Sequence, residues 1–371
     1  SNRALARQKR KLPSAVISTI DSFCYRIIKE NFAALGVGPG VRIADDSEVI
    51  PLALSVMDRV IDRRYDASAD AGANGNTVEK TNAEAADKES CETNEKISDN
   101  ADETANAEEN CKANDGFLRL CDLLVSDRDD GLAVRLYGFY DKVQKFIGRE
   151  RIFLESALRL ERARDEDYFA TPWGESDRRS LLSSLEYYRA EYEHALALVQ
   201  SDEDMKKKFE GSLTADLELI DSLRLASQSG YAAAAEVFSC YTPVRIGRSS
   251  TSSPDISRVQ SIREGFSAYR KSLASFFAPT TAAISASMAE SAGIMRELYG
   301  VLSEFGAEFS AEKRRRGFID YADAENLTLD LLIQNGEPTA LAGRIAEDYD
   351  EIYIDEYQDI NPIQDAIFSA I

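Results

Sequence analysis

At 371 residues, 44% of them hydrophobic and 29% charged, the chain is long enough for two domains with cores of their own. A net charge of −21 would ordinarily count against a nucleic-acid partner, but ten of those negative charges fall within residues 66–115, which hold 14 Asp/Glu against four Lys. No secretory leader and no apolar run of bilayer-spanning length is read in this sequence, so a cytoplasmic protein is the expectation.

In chain order, Ala15-Val16-Ile17-Ser18-Thr19 is a short β-branched run that predicts a buried strand. A helix follows, with Phe23, Ile27 and Ile28 at helical spacing, Asp21 or Ser22 as its N-cap and Lys29-Glu30 near its end. Gly36, Gly38, Pro39 and Gly40 break the chain, Val41–Asp45 predicts a second extended piece, and Ser47 opens a helix through Leu52, Leu54 and Met57. Residues 66–115 contain no aromatic, no Leu and only Val78 and Ile97 as branched aliphatics. So little apolar area cannot offset the entropy of ordering the chain, so this stretch is expected to be a disordered acidic linker.

Beyond the linker the periodicity is helical. Leu181, Leu182, Leu185, Tyr188, Tyr192, Leu196 and Val199 form one stripe, and Ile256, Val259, Ile262, Phe266, Tyr269, Leu273 and Phe276 another. A third runs through Ile284, Met288, Ser291, Met295, Leu298, Leu302, Phe305 and Phe309. It is a heptad seam that predicts a helix of roughly 30 residues, packed inside the helical region rather than forming a coiled-coil dimer. Residues 171–176 and 242–254 are expected to be loops. Gly317 should end the long helix behind its basic last turn, Lys313–Arg316, a cluster suited either to duplex DNA or to a solvated helix end. A helix through Tyr321, Leu327, Leu331 and Leu332 comes next. Ile352-Tyr353-Ile354 then predicts a buried strand entering Asp355-Glu356, and Asn361-Pro362 starts a last helix.

Five cysteines (Cys24, Cys91, Cys111, Cys121 and Cys240) with no CxxC, and His194 as the only histidine, argue against a zinc site and a disulfide framework. Tyr187, Tyr188 and Tyr192 have the chemistry to stack on bases, but their place on an amphipathic helix favours core packing. The chemistry concentrates in the segment Ile352–Asp359, read IYIDEYQD. Two carboxylates at the carboxyl edge of a sheet suit phosphoryl transfer from a nucleotide: Asp355 to hold Mg²⁺ against the phosphates, Glu356 to orient or deprotonate the attacking water. Gln358 would report the presence of the γ-phosphate. A solvated acidic turn is the plainer alternative for an apolar-apolar-Asp-Glu run. The pentapeptide DEYQD, by contrast, arises by chance in about one chain of this size in ten thousand.

DEYQD followed by Asn361-Pro362-Ile363-Gln364 resembles motif II of the superfamily 1A DNA helicases. Ser18-Thr19-Ile20-Asp21-Ser22-Phe23-Cys24 is similar to that family's TxHSF turn, which touches the backbone of single-stranded DNA. Gly317–Asp323, GFIDYAD, is similar to the LDFDDL segment that follows the family's inserted domain. Within the family the AddA type fits best, by the ISTIxSFC-like run, the segment Val41–Glu48 and the long separation of Thr19 from Asp355. Compact UvrD- or PcrA-type repair helicases and RecB-type subunits are the alternatives. The resemblance is specific over about 100 residues at the two ends and only architectural between them.

The resemblance implies a mainly α fold with α/β ends, a partial P-loop NTPase (RecA-like) domain 1A interrupted by a large all-helical 1B insertion. Domain 1A would occupy 1–47 and 316–371, and the insertion 48–315. It implies an ATP-dependent helicase that uses ATP and Mg²⁺, acts on single-stranded and duplex DNA in break repair and recombination in the bacterial cytoplasm at the nucleoid, and pairs with a second, AddB-like helicase-nuclease subunit. It further implies that Thr19 and Ser22 hold the DNA backbone. Asp21 stands where the family usually has His. An acid there would repel a phosphate, so the expectation is that Asp21 caps the helix and leaves the contact to its neighbours. The Walker A loop GxxxxGK[ST] is absent from this sequence. The resemblance puts it upstream and the remaining motifs, with a nuclease domain, downstream, so this stretch alone is expected to be inactive. The non-enzymatic alternative is a helical module that binds DNA or a partner in its own right.

Overall fold

In the computed structural model the described residues are 15–85 (side chains to 68), 116–125, 131–248, 250 and 253–371. They are mostly helical and divide into two compact units, one of Ser1–Glu155 with Ile294–Ile371, the other of Ser156–Gly293.

Helix α1 (Ile20–Glu30) begins where Thr19 takes extended backbone and its hydroxyl accepts the Ser22 N–H at 3.2 Å. Thr19 is therefore the N-cap, not Asp21 or Ser22. A cap sits just outside the helix with its oxygen facing the N–H two or three residues on, and Asp21 already lies in the first turn. Strand β1 (Arg42–Ile43) precedes α2 (Asp46–Ala85), whose first turn is capped by Asp45, its carboxylate accepting the Ser47 N–H at 3.0 Å. Helix α2 continues to Ala85, well into the stretch expected to lack structure. Ala67, Ala69, Ala71 and Ala73 at its entry have the highest intrinsic helix propensity. The rest of that stretch, 86–115, lies outside the described residues.

Next come α3 (116–124), α4 (Leu132–Val143) and α5 (Arg151–Ala163), then α6 (Pro172–Gln200), α7 (Glu203–Ser229), α8 (Tyr231–Cys240) and α9 (Ile256–Phe276). Residues 171–176, expected to be a loop, open α6 instead: Thr171 caps it and Pro172 occupies its first position, where a missing N–H costs nothing. Helix α10 (Thr281–Arg316) is 36 residues long, somewhat longer than its heptad seam predicts. After it come β2 (Phe318–Ile319), α11 (Tyr321–Leu332), β3 (Ile333–Gln334), β4 (Glu337–Pro338), α12 (Ala340–Ala346) and α13 (Pro362–Ser369). Gly317, with φ of 74°, turns the chain from α10 into β2. β3 and β4 form a hairpin whose two loop residues, Asn335 (φ 55°) and Gly336 (φ 82°), are both left-handed, the Asn-Gly combination such tight turns favour.

The two strand pairs are the whole of the sheet structure among the described residues: β1 with β2 in parallel, Arg42 opposite Phe318 and Ile43 opposite Ile319, and the β3–β4 hairpin. The strands expected at 15–19 and 352–354 do not form. Neither segment forms a regular element, and Ile17 is 88% exposed and Tyr353 86%. A strand needs a neighbour to take up its N–H and C=O groups, and neither segment has one among the described residues.

The first unit holds two cores. One joins α2, α4 and the second half of α10 through Val56, Met57, Leu136, Leu302, Phe305 and Phe309. The Tyr140 ring meets Phe305 edge-on there, at 4.8 Å. The other packs Phe23, Ile27 and Ile28 of α1 against Leu332 of α11 and Ile363 and Ile367 of α13. Leu298, Leu302, Phe305 and Phe309 of the heptad seam are thus consumed inside the chain, as expected. In the second unit Leu185, Tyr192 and Val199 of α6 pack with Phe209 and Leu223 of α7 and Phe266 of α9. Tyr192 and Tyr188 belong to that core; Tyr187 is exposed.

Gly174 in the first turn of α6 shows how tightly this second core is drawn. A Cβ there would lie 1.7 Å from the Tyr168 carbonyl oxygen and 3.1 Å from the Phe169 Cα, both backbone. Gly174→Ala should destabilise the protein by about 1–3 kcal/mol, the usual cost of overpacking. A urea midpoint unchanged from the parent protein would refute it.

Candidate functional site

Three of the four cations of the expected basic cluster, Lys313, Arg315 and Arg316, are ion-paired. Lys313 is 2% exposed, its ammonium 2.7 Å from Asp320 and 2.6 Å from Asp323 and 4.1 Å above the Phe309 ring. Arg315 and Arg316 both reach back to Glu312. Lys313 is therefore removed from any DNA surface: the preceding helical turn points it at the two aspartates that cap α11. Asp320 and Asp323 form a reciprocal capping box, each carboxylate accepting the other's backbone N–H. Burial pushes the Asp323 carboxyl above its ordinary range, against the pull of Lys313.

Helix α11 presents a polar face to three neighbours. The Glu325 carboxyl, 7% exposed, accepts from Asn361 Nδ2 at 2.8 Å and Gln364 Nε2 at 2.5 Å. Asn326 donates to the Gln144 carbonyl at 3.0 Å and accepts from Arg149 Nε at 2.7 Å, while Asp330 accepts from the same guanidinium. The Thr328 hydroxyl lies 3.3 Å from the Cys24 carbonyl. A leucine periodicity alone does not disclose this face.

The DEYQD segment sits directly before α13. Asp355 and Glu356 make a turn, and Tyr357–Asp359 a single 3₁₀ turn. Glu356 is left-handed (φ 50°, ψ 42°), a conformation that costs a non-glycine residue about 1 kcal/mol or more. Its N–H donates to Asp355 Oδ1 at 3.0 Å, and its carboxylate accepts from the Gln358 amide. Asp355, Glu356 and Gln358 are all exposed, so the three residues chosen from the sequence share one solvent-facing turn. Asn361 then caps α13 in a capping box with Gln364, as Asn361-Pro362 predicts, and the Tyr357 hydroxyl bonds to Asp365. Among the described residues no cluster of three or more His, Cys, Asp or Glu could hold a metal. A single carboxylate such as Asp355 fits Mg²⁺ that arrives with a nucleotide, because the phosphates and water supply the other ligands.

The second group stands at the start of α1. The Thr19 hydroxyl donates to Ser22 Oγ at 2.9 Å, and both residues are exposed. Asp21 is half-buried, and burial pushes its carboxyl up. On the buried face the Phe23 ring lies 5.4 Å from Phe368 of α13, and Arg26 donates to the Tyr349 hydroxyl at 2.6 Å. Burial also drives the Cys24 thiol up to about 12. Such a sulfur is a packing group and not a nucleophile. The Thr19–Ser22 group opens α1 and the Asp355–Gln358 group precedes α13, and those two helices share one core with α11.

Comparison with known proteins agrees with these motifs. The chain is 24% identical over 388 residues to the A subunit of the ATP-dependent helicase/nuclease of Bacillus cytotoxicus, covering 100% of this chain and 27% of that protein. Proteins of the same description from Moorella thermoacetica (27% identical, 100% and 24% covered) and Clostridium acetobutylicum (22%, 100% and 28%) are similar along the same span. The chain therefore spans about a quarter of the length of these relatives. Residues 177–371, which contain both the GFIDYAD and DEYQD segments, match the UvrD/REP helicase N-terminal domain, and the chain belongs to that helicase family.

Proposed function

We propose that this chain is part of an ATP-dependent DNA translocase and helicase of the AddA kind, acting in double-strand-break repair and recombination. The observation that carries the reading is the single exposed turn holding Asp355, Glu356 and Gln358, placed just before α13, which packs against the helix that the Thr19–Ser22 turn opens. Asp355 binds the Mg²⁺ of the nucleotide, where the metal neutralises charge on the phosphates. Glu356 orients and deprotonates the attacking water, and Gln358, hydrogen-bonded to Glu356, senses the γ-phosphate. Thr19 and Ser22 contact the DNA backbone through their hydroxyls, with Asp21 beside them.

In this reading residues 1–47 and 316–371 are parts of a RecA-like domain 1A and 48–315 a helical 1B insertion. The exposed apolar Ile17 and Tyr353 are then strand residues whose sheet neighbours come from elsewhere in the longer protein. A second helicase-nuclease subunit is the expected protein partner and the bacterial cytoplasm the site of action. The test is ATP hydrolysis by the full-length protein with and without single-stranded DNA, beside the 371-residue chain alone. Strong stimulation by DNA in the former and negligible turnover in the latter are expected. Turnover by the chain alone that survives loss of Glu356 would overturn the assignment.

A further inference from the structure

The DEYQD turn is exposed at all five residues, and their hydrogen bonds run within the segment, to the residue that follows it or to the next helix. What fixes its position is the N-terminus of α13, two residues further on. From another helix, the side chain of Glu325 bonds to both members of its capping box. Both carboxyl oxygens are used: Oε2 accepts from Asn361 Nδ2 and Oε1 from Gln364 Nε2, the two members of the α13 capping box. Asn361 Oδ1 is meanwhile committed to the Ile363 and Gln364 N–H groups at 2.9 Å each. Every polar atom in this buried cluster therefore has a fixed donor or acceptor sense, and no amide can flip without leaving one unpaired.

We propose that Glu325 is a positioning residue for the nucleotide-facing turn, acting through Asn361 and Gln364 to set where Asp355 and Glu356 stand. The inference rests on the ATP-site reading above and goes beyond it, because Glu325 lies 30 positions from Asp355 in the sequence and bonds to Asn361 and Gln364 rather than to the turn itself. The neighbouring turn of α11 carries Thr328 to the Cys24 carbonyl of α1. One short helix thus bonds both to the capping box of α13 and to α1.

The donor sense provides the test. Glu325→Gln keeps the shape but turns one acceptor into a donor, so the new amide and that of Asn361 would present N–H groups to each other. Asn361→Asp keeps the cap but sets two carboxylates together. Combined, the two substitutions restore complementarity: the amide introduced by Glu325→Gln donates to the carboxylate introduced by Asn361→Asp, and its oxygen still accepts from Gln364. In the full-length protein, with rates normalised to folded protein by nucleotide titration, each single variant should lower kcat for DNA-stimulated ATP hydrolysis about tenfold or more. KM for ATP should stay within about twofold, and the double variant should return to within about threefold of the parent. A double variant no faster than the slower single one, single variants with parental kcat, or a loss seen only in thermal midpoint would overturn the proposal. Glu356→Gln is assayed alongside. If it retains full turnover the ATP-site reading itself fails; if it is inactive while Glu325→Gln is not, only the positioning role fails.

Discussion

Glu356→Gln in the full-length protein should reduce DNA-stimulated ATP turnover by about 10²–10⁴-fold while leaving nucleotide binding close to parental. The substitution keeps the volume of the side chain and its capacity to bond with Gln358, so the local turn has no reason to rearrange. What it removes is the ability to take a proton from water. A group that acts only in the transition state lowers kcat and kcat/KM together and spares ground-state affinity. Asp355→Asn is the informative companion. Because Asp355 is assigned to the metal, its loss should weaken Mg²⁺-dependent nucleotide binding as well as turnover. Two variants with identical profiles would show that the two carboxylates do not divide the work.

The largest stability effect is expected at Lys313. Replacing it with Met keeps the length and the packing against Phe309 but leaves Asp320 and Asp323, whose side chains are 14% and 22% exposed, without their cation. Removing one partner of a buried ion pair typically costs about 3–5 kcal/mol, because the remaining charge is stranded rather than merely unpaired. The cost should depend on pH, with a sign that follows from Asp323. Its folded-state pKa is already raised by burial, and Lys313 holds it down from still higher values. A carboxyl raised on folding stabilises the fold in its protonated form, below the ordinary value of 3.8, and that contribution is lost as pH rises through the folded value. Without Lys313 the rise is greater, so the deficit of Lys313→Met should shrink as pH is lowered from 7 toward 4. Chemical denaturation of both proteins across that range measures it. A deficit that stays constant or grows on acidification would contradict the assignment.

Helix positions were legible wherever one apolar face met one core. Leu185, Tyr192 and Val199, or Leu298, Leu302 and Phe305, recur at a spacing that only a helix can satisfy, and they are buried. The candidate turn was legible because DEYQD is a rare string whose carboxylates suit one chemistry. Its local conformation was not. Ile352-Tyr353-Ile354 has the composition of a strand, but composition cannot supply the neighbouring strand that makes one. The same limit applies to Val16 and Ile17. Lys313 misled for a different reason: four consecutive cations suggest a solvated tip, and only the three-dimensional approach of Asp320 and Asp323 shows that the first of them turns inward. The hairpin at Asn335-Gly336 carried a recognisable two-residue turn signal, hidden because its strands are too short to alternate. Glu325 was least visible of all, since a buried carboxyl that accepts two amides has no sequence signature distinct from a surface glutamate.

The parallel pairing of β1 with β2 fixes Arg42 against Phe318 and Ile43 against Ile319. Everything between them leaves and returns through adjacent backbone, as a closed excursion with its ends clamped. For such a loop the entropic cost of added length grows only logarithmically, at about 0.6 kcal/mol for each doubling. The clamp is therefore nearly indifferent to how much chain it encloses. Lengthening or trimming a flexible connection within the excursion should scarcely alter the register of β1 on β2.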